Sequence, residues 1–324
     1  MTNVLTIGSR RGKRDARTGA ARRGARSVRP AWEEPPTAVG QAAKSLTLGG
    51  TLAVILVPLW IIVLTSVSTP GAINRAGGLV IWPDGLTIET YRQMLSDPTV
   101  RTALMVSLGI TVVGTAISMT ISVLCAYGLS RPRSLGHRFI LMLLIVTMFV
   151  SGGLIPSFLV VTGLGGYGQW WSLILPSAVS VFNILVLRAF YQETSAELID
   201  AARMDGAGDW RILWSVVLPT SRAVTAVTAL FYAVGYWNSF FNVMLYMPTD
   251  SQKWPLQYVL LTYVNRGNGL PGSVNSGFGS SHAQTAPLSL QMAVVVLTLI
   301  PLVIVYPFVQ KHLRTGVLTG AIKG

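Results

Sequence analysis

The chain has 324 residues, 51% of them hydrophobic and only 11% charged, with a formal net charge of +13. A water-facing exterior normally carries about 25% charged residues, so this composition excludes an ordinary soluble domain and points to a surface that faces lipid. The positive charge does not signal a nucleic-acid partner, because the basic residues gather in a few segments separated by long stretches with none.

Residues 1–44 are rich in Arg, Gly, Ala and Ser and carry the run Arg10, Arg11, Lys13, Arg14, Arg17, Arg22, Arg23, Arg26 and Arg29. With no apolar period to bury a core, this segment is expected to be a disordered basic tail. Pro30, Glu33, Glu34, Pro35 and Pro36 interrupt the amphipathic helix that an organellar transit peptide would need. Apolar runs follow at roughly 46–68, 102–129, 139–162, 171–190, 222–246 and 287–309. Each is near the ~20 residues with which a helix crosses ~30 Å of hydrocarbon. Their unbroken apolarity excludes the ~10-residue alternating strands of a barrel. The expected fold is all-α: a polytopic membrane protein with six transmembrane helices across residues 45–309 and a short tail over 310–324.

Basic residues set the orientation. With both termini cytoplasmic, the inner segments hold 20 Lys and Arg, and the outer segments hold five: Arg75, Arg92, Arg101, Lys253 and Arg266. Discounting the ten in the long tail still leaves an inner excess of 10 to 5, as the positive-inside rule requires. The loops at about 69–101 and 247–286 then face outward as docking surfaces for an external partner, and the loop at 191–221 faces the cytoplasm. Trp60, Trp82, Trp170, Trp171, Trp237 and Trp254 fall near span ends or in outer loops, where tryptophans anchor a protein at the lipid–water boundary.

No Asp, Glu, His or Lys lies within the six apolar cores, and Arg188 sits close enough to a span end to reach the boundary. Proton coupling therefore has no obvious site. A Gly-rich phosphate loop, a His-Glu-x-x-His zinc pattern and a nucleophile elbow are all missing from the sequence, so the chain is not read as an enzyme or as an ATP hydrolase. His137, His282 and His312 are scattered, and Cys125 has no partner thiol, which leaves no set of metal ligands. Three classes remain: a permease driven by a separate ATPase, a self-contained secondary carrier, and a membrane enzyme or scaffold.

The cytoplasmic loop is the most informative segment. Thr194 and Glu197 have the spacing of a capping box, and Gly206 stands where a helix would close through a left-handed residue. Leu198, Ala201, Ala202 and Met204 form a small apolar face beside Glu197, Asp200 and Arg203, and a second helix runs through Trp210 to Leu218-Pro219. Alanines suit close approach to a partner better than adhesion to a bilayer, which rewards bulky apolar side chains.

Asp200-Ala201-Ala202, three residues, Gly206, nine residues, Val216, one residue and Leu218-Pro219 resemble the EAA loop of binding-protein-dependent ABC importer permeases. Asp205-Gly206-Ala207 is similar to the form in their carbohydrate branch. Asp200 stands where that family usually has Glu, and Val216 where it has Ile. Trp237-Asn238-Ser239-Phe240-Phe241, Trp254-Pro255-Leu256-Gln257, Tyr306-Pro307-Phe308-Val309-Gln310-Lys311 and the closing Gly316–Gly324 segment resemble the oligosaccharide subgroup, so the likeness covers about residues 45–324.

The resemblance implies a type I importer permease fold in a bacterial inner membrane. It implies Asp200, Ala201, Ala202, Asp205, Gly206 and Ala207 as residues that couple to an ATPase. It also implies partners: a second permease in a heterodimer, a cytoplasmic ATPase dimer that holds the ATP and Mg, and an external sugar-binding protein. The chain itself is expected to bind no cofactor. Aromatic faces and amides that suit a sugar make Tyr236, Trp237, Asn238, Phe241 and Asn242 the substrate-pathway candidates.

Overall fold

The computed structural model describes residues 37–131, 136–150, 152–193, 196–266 and 287–320. The chain divides into two compact units, Met1–Leu56 and Val57–Gly324. In the first, residues 38–56 belong to α1 (Ala38–Ser66), a helix that begins before the expected tail boundary at 44, and each of residues 37–56 is exposed. The mean hydropathy of 2.3 in α1 suits that exposure to lipid, not water. The Arg-rich run lies outside the described residues.

In the second unit the end of α1 leads to α2 (Pro70–Arg75), whose first turn is capped by Thr69, and α3 (Glu89–Ser96). Arg75 and Asp84 pair at 2.7 Å within this loop. Tyr91 on α3 shares a hydrogen bond of 2.7 Å with Ser66. Burial pushes the Tyr91 phenol above its ordinary pKa, against the smaller opposing effect of that bond, so it stays protonated at neutral pH.

Next comes α4 (Pro98–Ser130), opened by Asp97, whose carboxylate accepts from the Thr99 N–H at 2.7 Å, with Pro98 at the first helical position. After it follow α5 (His137–Phe149), α6 (Leu154–Gly163) and α7 (Trp171–Ile174), which runs on through a tight turn at Leu175–Ser177. The chain continues through α8 (Val181–Gln192) and α9 (Ala196–Met204). α10 (Asp209–Ile212) passes through a π-helical stretch, Leu213–Val217, into α11 (Leu218–Thr220). The last elements are α12 (Arg222–Trp237), α13 (Phe241–Tyr246), α14 (Leu256–Arg266) and α15 (Pro287–Gly320).

Three helical stretches, Ala38–Ser66, Pro98–Ser130 and Leu288–Pro307, are each long and apolar enough to cross a membrane, and bent pairs raise the number to as many as six. One pair is α5 with α6. A second joins α7 to α8 at a 51° bend, and the third joins Asp209–Thr220 to α12 at 87°. The fifth expected run, 222–246, is not one helix. α12 stops at Trp237: Asn238, at φ −89° and ψ 7°, leaves helical geometry, the next N–H, Ser239, tightens onto the Tyr236 carbonyl at 3.2 Å, and Asn238 Nδ2 takes up the Val234 carbonyl at 2.9 Å. α15 continues to Gly320, past the expected end at 309, with Pro301 and Pro307 inside it; membrane helices tolerate prolines where neighbours satisfy the freed backbone groups.

The packing is centred on α4. Ala103, Ser107, Gly114, Ser118, Ser122 and Ala126 are buried along one face at roughly helical spacing, while Val112, Val113, Leu124 and Met105 on the other face are exposed. In lipid, large apolar groups gain nothing by hiding, and small residues let helix backbones approach. One core cluster joins α4, α12, α14 and α15 through Ile110, Trp237, Leu256 and Val294. A second lies at the other end of α4, where Ala126 and Leu129 meet Ile184, Leu187, Ile212, Leu213 and Val217. Trp254, expected at the lipid boundary, belongs to the first core, its Nε1 donating to the Met247 carbonyl at 2.8 Å.

Candidate functional site

The second core supports the loop that carries α9. At the end of that helix the Ala207 N–H donates to the Ala202 carbonyl and the Gly206 N–H to the Arg203 carbonyl, both at 2.9 Å, with Gly206 at φ +75°. This is a Schellman closure, and it turns the chain from α9 towards α10. The Thr194 half of the capping box lies outside the described residues; Glu197 stands in the first turn, where a carboxylate favours the helix dipole.

The closure sorts the loop residues onto two sides. Ile199, Ala202 and Ala207 pack against the second core, whereas Leu198, Asp200, Ala201, Met204, Asp205 and Gly206 are exposed. The single apolar face expected from Leu198, Ala201, Ala202 and Met204 is therefore divided: Ala202 helps seat the helix, and the others face out. Beyond the turn, Trp210 and Trp214, one turn apart, are 66% and 67% exposed. Asp200 has only a loose contact of 3.7 Å with Arg203, so its carboxylate remains accessible.

The pathway candidates meet at a second place. A cavity of about 390 Å³ opens where α12 ends, lined by Tyr236, Asn238, Phe241 and Asn242. Sequence reasoning missed the rest of its wall: Ser177, Ser180 and Asn183 after the α7 bend, Phe231, Tyr232 and Gly235 on α12, and Ser239 and Phe240 in the break. Pro176, followed by three polar residues within seven positions inside an otherwise apolar run, was the available signal. Asn242 Nδ2 donates to Ser177 Oγ at 3.3 Å across the cavity, and Gln257 Nε2 to Asn238 Oδ1 at 3.4 Å. The wall thus combines hydroxyls, amides and aromatic rings, with no charged side chain among the described lining residues.

Tyr236 is held, not free. Its hydroxyl donates to the Ile174 carbonyl at 3.1 Å and accepts from Ser118 Oγ at 2.8 Å, and its ring lies over Gly114. Tyr232 repeats the pattern, bonded to Ser122 Oγ at 2.7 Å and accepting from the Ser180 N–H at 3.1 Å. Trp237 is the exception among the candidates. It is buried on the opposite side of α12, its Nε1 donating to the Thr298 carbonyl at 3.0 Å, and lines an apolar space with Leu108 and Pro301. Among the described residues no group of His, Cys, Asp and Glu is arranged to hold a metal ion.

Residues 118–319, which include the loop and most of the cavity wall, match the family described as the binding-protein-dependent transport system inner membrane component. The chain belongs to this family. The permease is 41% identical to the polygalacturonan/rhamnogalacturonan transport system permease protein YtcP of Bacillus subtilis, over 76% of this chain and 85% of that one. It is 37% identical to protein LplC of the same bacterium, over 86% and 93% of the two chains. A solved bacterial ABC transporter involved in import of the acidic polysaccharide alginate has a chain that superposes with a TM-score of 0.79 at 30% identity, covering 87% of this permease and 99% of that chain. The type I importer permease fold follows, and these comparisons support the importer reading over a self-contained secondary carrier.

Proposed function

We propose that this permease is the membrane subunit of an ATP-driven importer for a sugar or oligosaccharide. It would receive its substrate from an external binding protein and pair with a second, different permease over a cytoplasmic ATPase dimer that holds the ATP and Mg. The observation that carries the substrate class is the cavity of hydroxyl, amide and aromatic side chains, in a chain whose relatives include a polygalacturonan/rhamnogalacturonan transport system permease. Aromatic faces suit the apolar side of a pyranose ring, and Asn and Ser suit its hydroxyls. Because the described wall has no charge, this half of the pathway reads the neutral parts of a sugar.

In this reading Asp200, Ala201, Asp205 and Gly206 present the coupling surface to the ATPase, and Ala202 and Ala207 hold it at the correct angle. ATP-driven closure of the ATPase pair then moves the loop and shifts access to the cavity. Both termini lie in the cytoplasm, on the side of the basic excess. The test is purification of a tagged chain from its native membrane, followed by reconstitution into liposomes. The expected result is recovery of an ATPase and a second permease, with oligosaccharide uptake that needs both ATP and the binding protein. Recovery of the chain alone, with uptake that ignores ATP, would overturn the proposal.

A further inference from the structure

At the loop end of α4 three contacts converge on one residue. The Arg131 guanidinium pairs with the Asp209 carboxylate and with the Tyr127 hydroxyl, and lies 4.4 Å over the Tyr127 ring. The Tyr127 hydroxyl in turn donates to the Asp209 backbone carbonyl at 2.9 Å. Asp209 is the first residue of α10, three positions beyond the Gly206 closure. The Asp209 side chain is 68% exposed, so the ion pair adds little stability. Two side chains, a ring face and a backbone carbonyl nevertheless fix where α10 starts relative to α4.

The other contacts of α4 give that tie a consequence. About 14 and 20 Å back from Arg131 along the same unbroken helix, at 1.5 Å per residue, Ser122 and Ser118 hold the hydroxyls of Tyr232 and Tyr236, and both tyrosines line the cavity. We propose that Arg131, Tyr127 and Asp209 form a latch through which displacement of the coupling loop moves α4, and with it the tyrosine wall of the cavity. Arg131 and Tyr127 are thus positioning residues for transport. The latch rests on the importer reading, since it needs an ATPase to move the loop. A rigid helix tied at both places is a physical connection between two sites, and its coupling is measurable.

The experiment uses the complete importer in liposomes and measures oligosaccharide uptake per ATP hydrolysed, ATPase stimulation by the loaded binding protein, and recovery of the ATPase on the tagged permease. Arg131→Gln is expected to retain the ATPase and basal hydrolysis, while uptake per ATP falls by about five- to tenfold, the lower range of allosteric coupling. Tyr127→Phe, which keeps the ring and loses the bond to Asp209, should show a smaller loss. The reversed pair Arg131→Glu with Asp209→Arg should recover at least half of the uptake, and it is the retained ATPase and basal hydrolysis of the single variant that a role in folding alone would not produce. Wild-type uptake per ATP in Arg131→Gln would overturn the latch. A loss in Arg131→Gln that the reversed pair leaves uncorrected would do the same. If the wild-type complex itself showed no ATP-dependent sugar uptake, the importer reading would be what failed.

Discussion

Gly114 offers the sharpest test of how the cavity wall is held. It sits in the middle of α4, and a Cβ added there would lie 2.8 Å from the Cε2 and Cζ atoms and 2.9 Å from the Cδ2 atom of the Tyr236 ring. The ring cannot simply swing away, because its hydroxyl is bonded to Ser118 and to the Ile174 carbonyl. Overpacking of this kind costs roughly 1–3 kcal/mol, while Gly→Ala in a helix interior contributes about 0.8–1 kcal/mol in the other direction. The same helix supplies controls for the second effect. Gly109 and Gly128 are exposed, and nothing lies within 4 Å of a Cβ built on either. Thermal unfolding in detergent should therefore rank Gly109→Ala and Gly128→Ala at or above wild type. Gly114→Ala should fall below both by about 1–3 kcal/mol and lose uptake as Tyr236 is displaced. Equal stability for all three variants, with normal uptake in Gly114→Ala, would mean that α4 and α12 do not approach as described.

Other variants separate the roles of the loop and the cavity. Gly206→Ala meets no neighbour but must hold φ +75°, a strain of roughly 1–2 kcal/mol; less ATPase should co-purify with it, with Gly206→Asn intermediate, and equal recovery from both would remove the backbone argument. Asp200→Ala should change unfolding by less than about 0.5 kcal/mol, because Asp200 is exposed and only loosely paired; the ATPase pull-down should nevertheless weaken. Asn238→Ala and Asn242→Ala should each lower the maximal uptake rate about two- to tenfold, equivalent to one hydrogen bond of ~0.5–1.5 kcal/mol, with the ATPase still bound. Trp237→Phe should instead show itself in unfolding, since it removes a bond to Thr298 worth about 0.6–1.7 kcal/mol in a membrane, and should leave uptake per ATP unchanged.

The loop was more legible in the sequence than the cavity, and the reason is local. A Schellman closure depends on a few consecutive residues and on one glycine that tolerates a left-handed conformation, so Gly206 marks it directly. The division of Ala201 from Ala202 was not legible, because it depends on which side of α9 meets Ile212 and Leu213, residues that follow the turn. The cavity is less local still. Ser177, Asn183, Tyr232 and Asn242 come from three separate segments, brought together by a bend after Pro176 and a helix end at Asn238. Trp237 shows the cost of reading neighbours in sequence as neighbours in space: it adjoins Tyr236 and Asn238 in the chain, yet points to Thr298 on the far side of α12.

The boundaries of the spans were read from apolarity, and apolarity is what misplaced the break in the fifth run. A hydropathy average does not register that Asn238 leaves helical geometry, its side-chain amide on the Val234 carbonyl, and ends α12, because the aromatic residues on either side keep the run apolar. The same blindness hides the core. In water, a buried helical face is found by its large apolar residues. In lipid those residues are as well placed outside, and close packing with polar complementarity marks the inside. Beside Val100, Ile110 and Leu129, six of the nine buried positions on α4 are small (Ala103, Ser107, Gly114, Ser118, Ser122 and Ala126), and three of them offer hydroxyls to α12 or α14. For a helix already read as a membrane span, small and hydroxyl residues about four positions apart are therefore the stronger evidence of the packed face, and in this permease they lead to the two tyrosines that line its cavity.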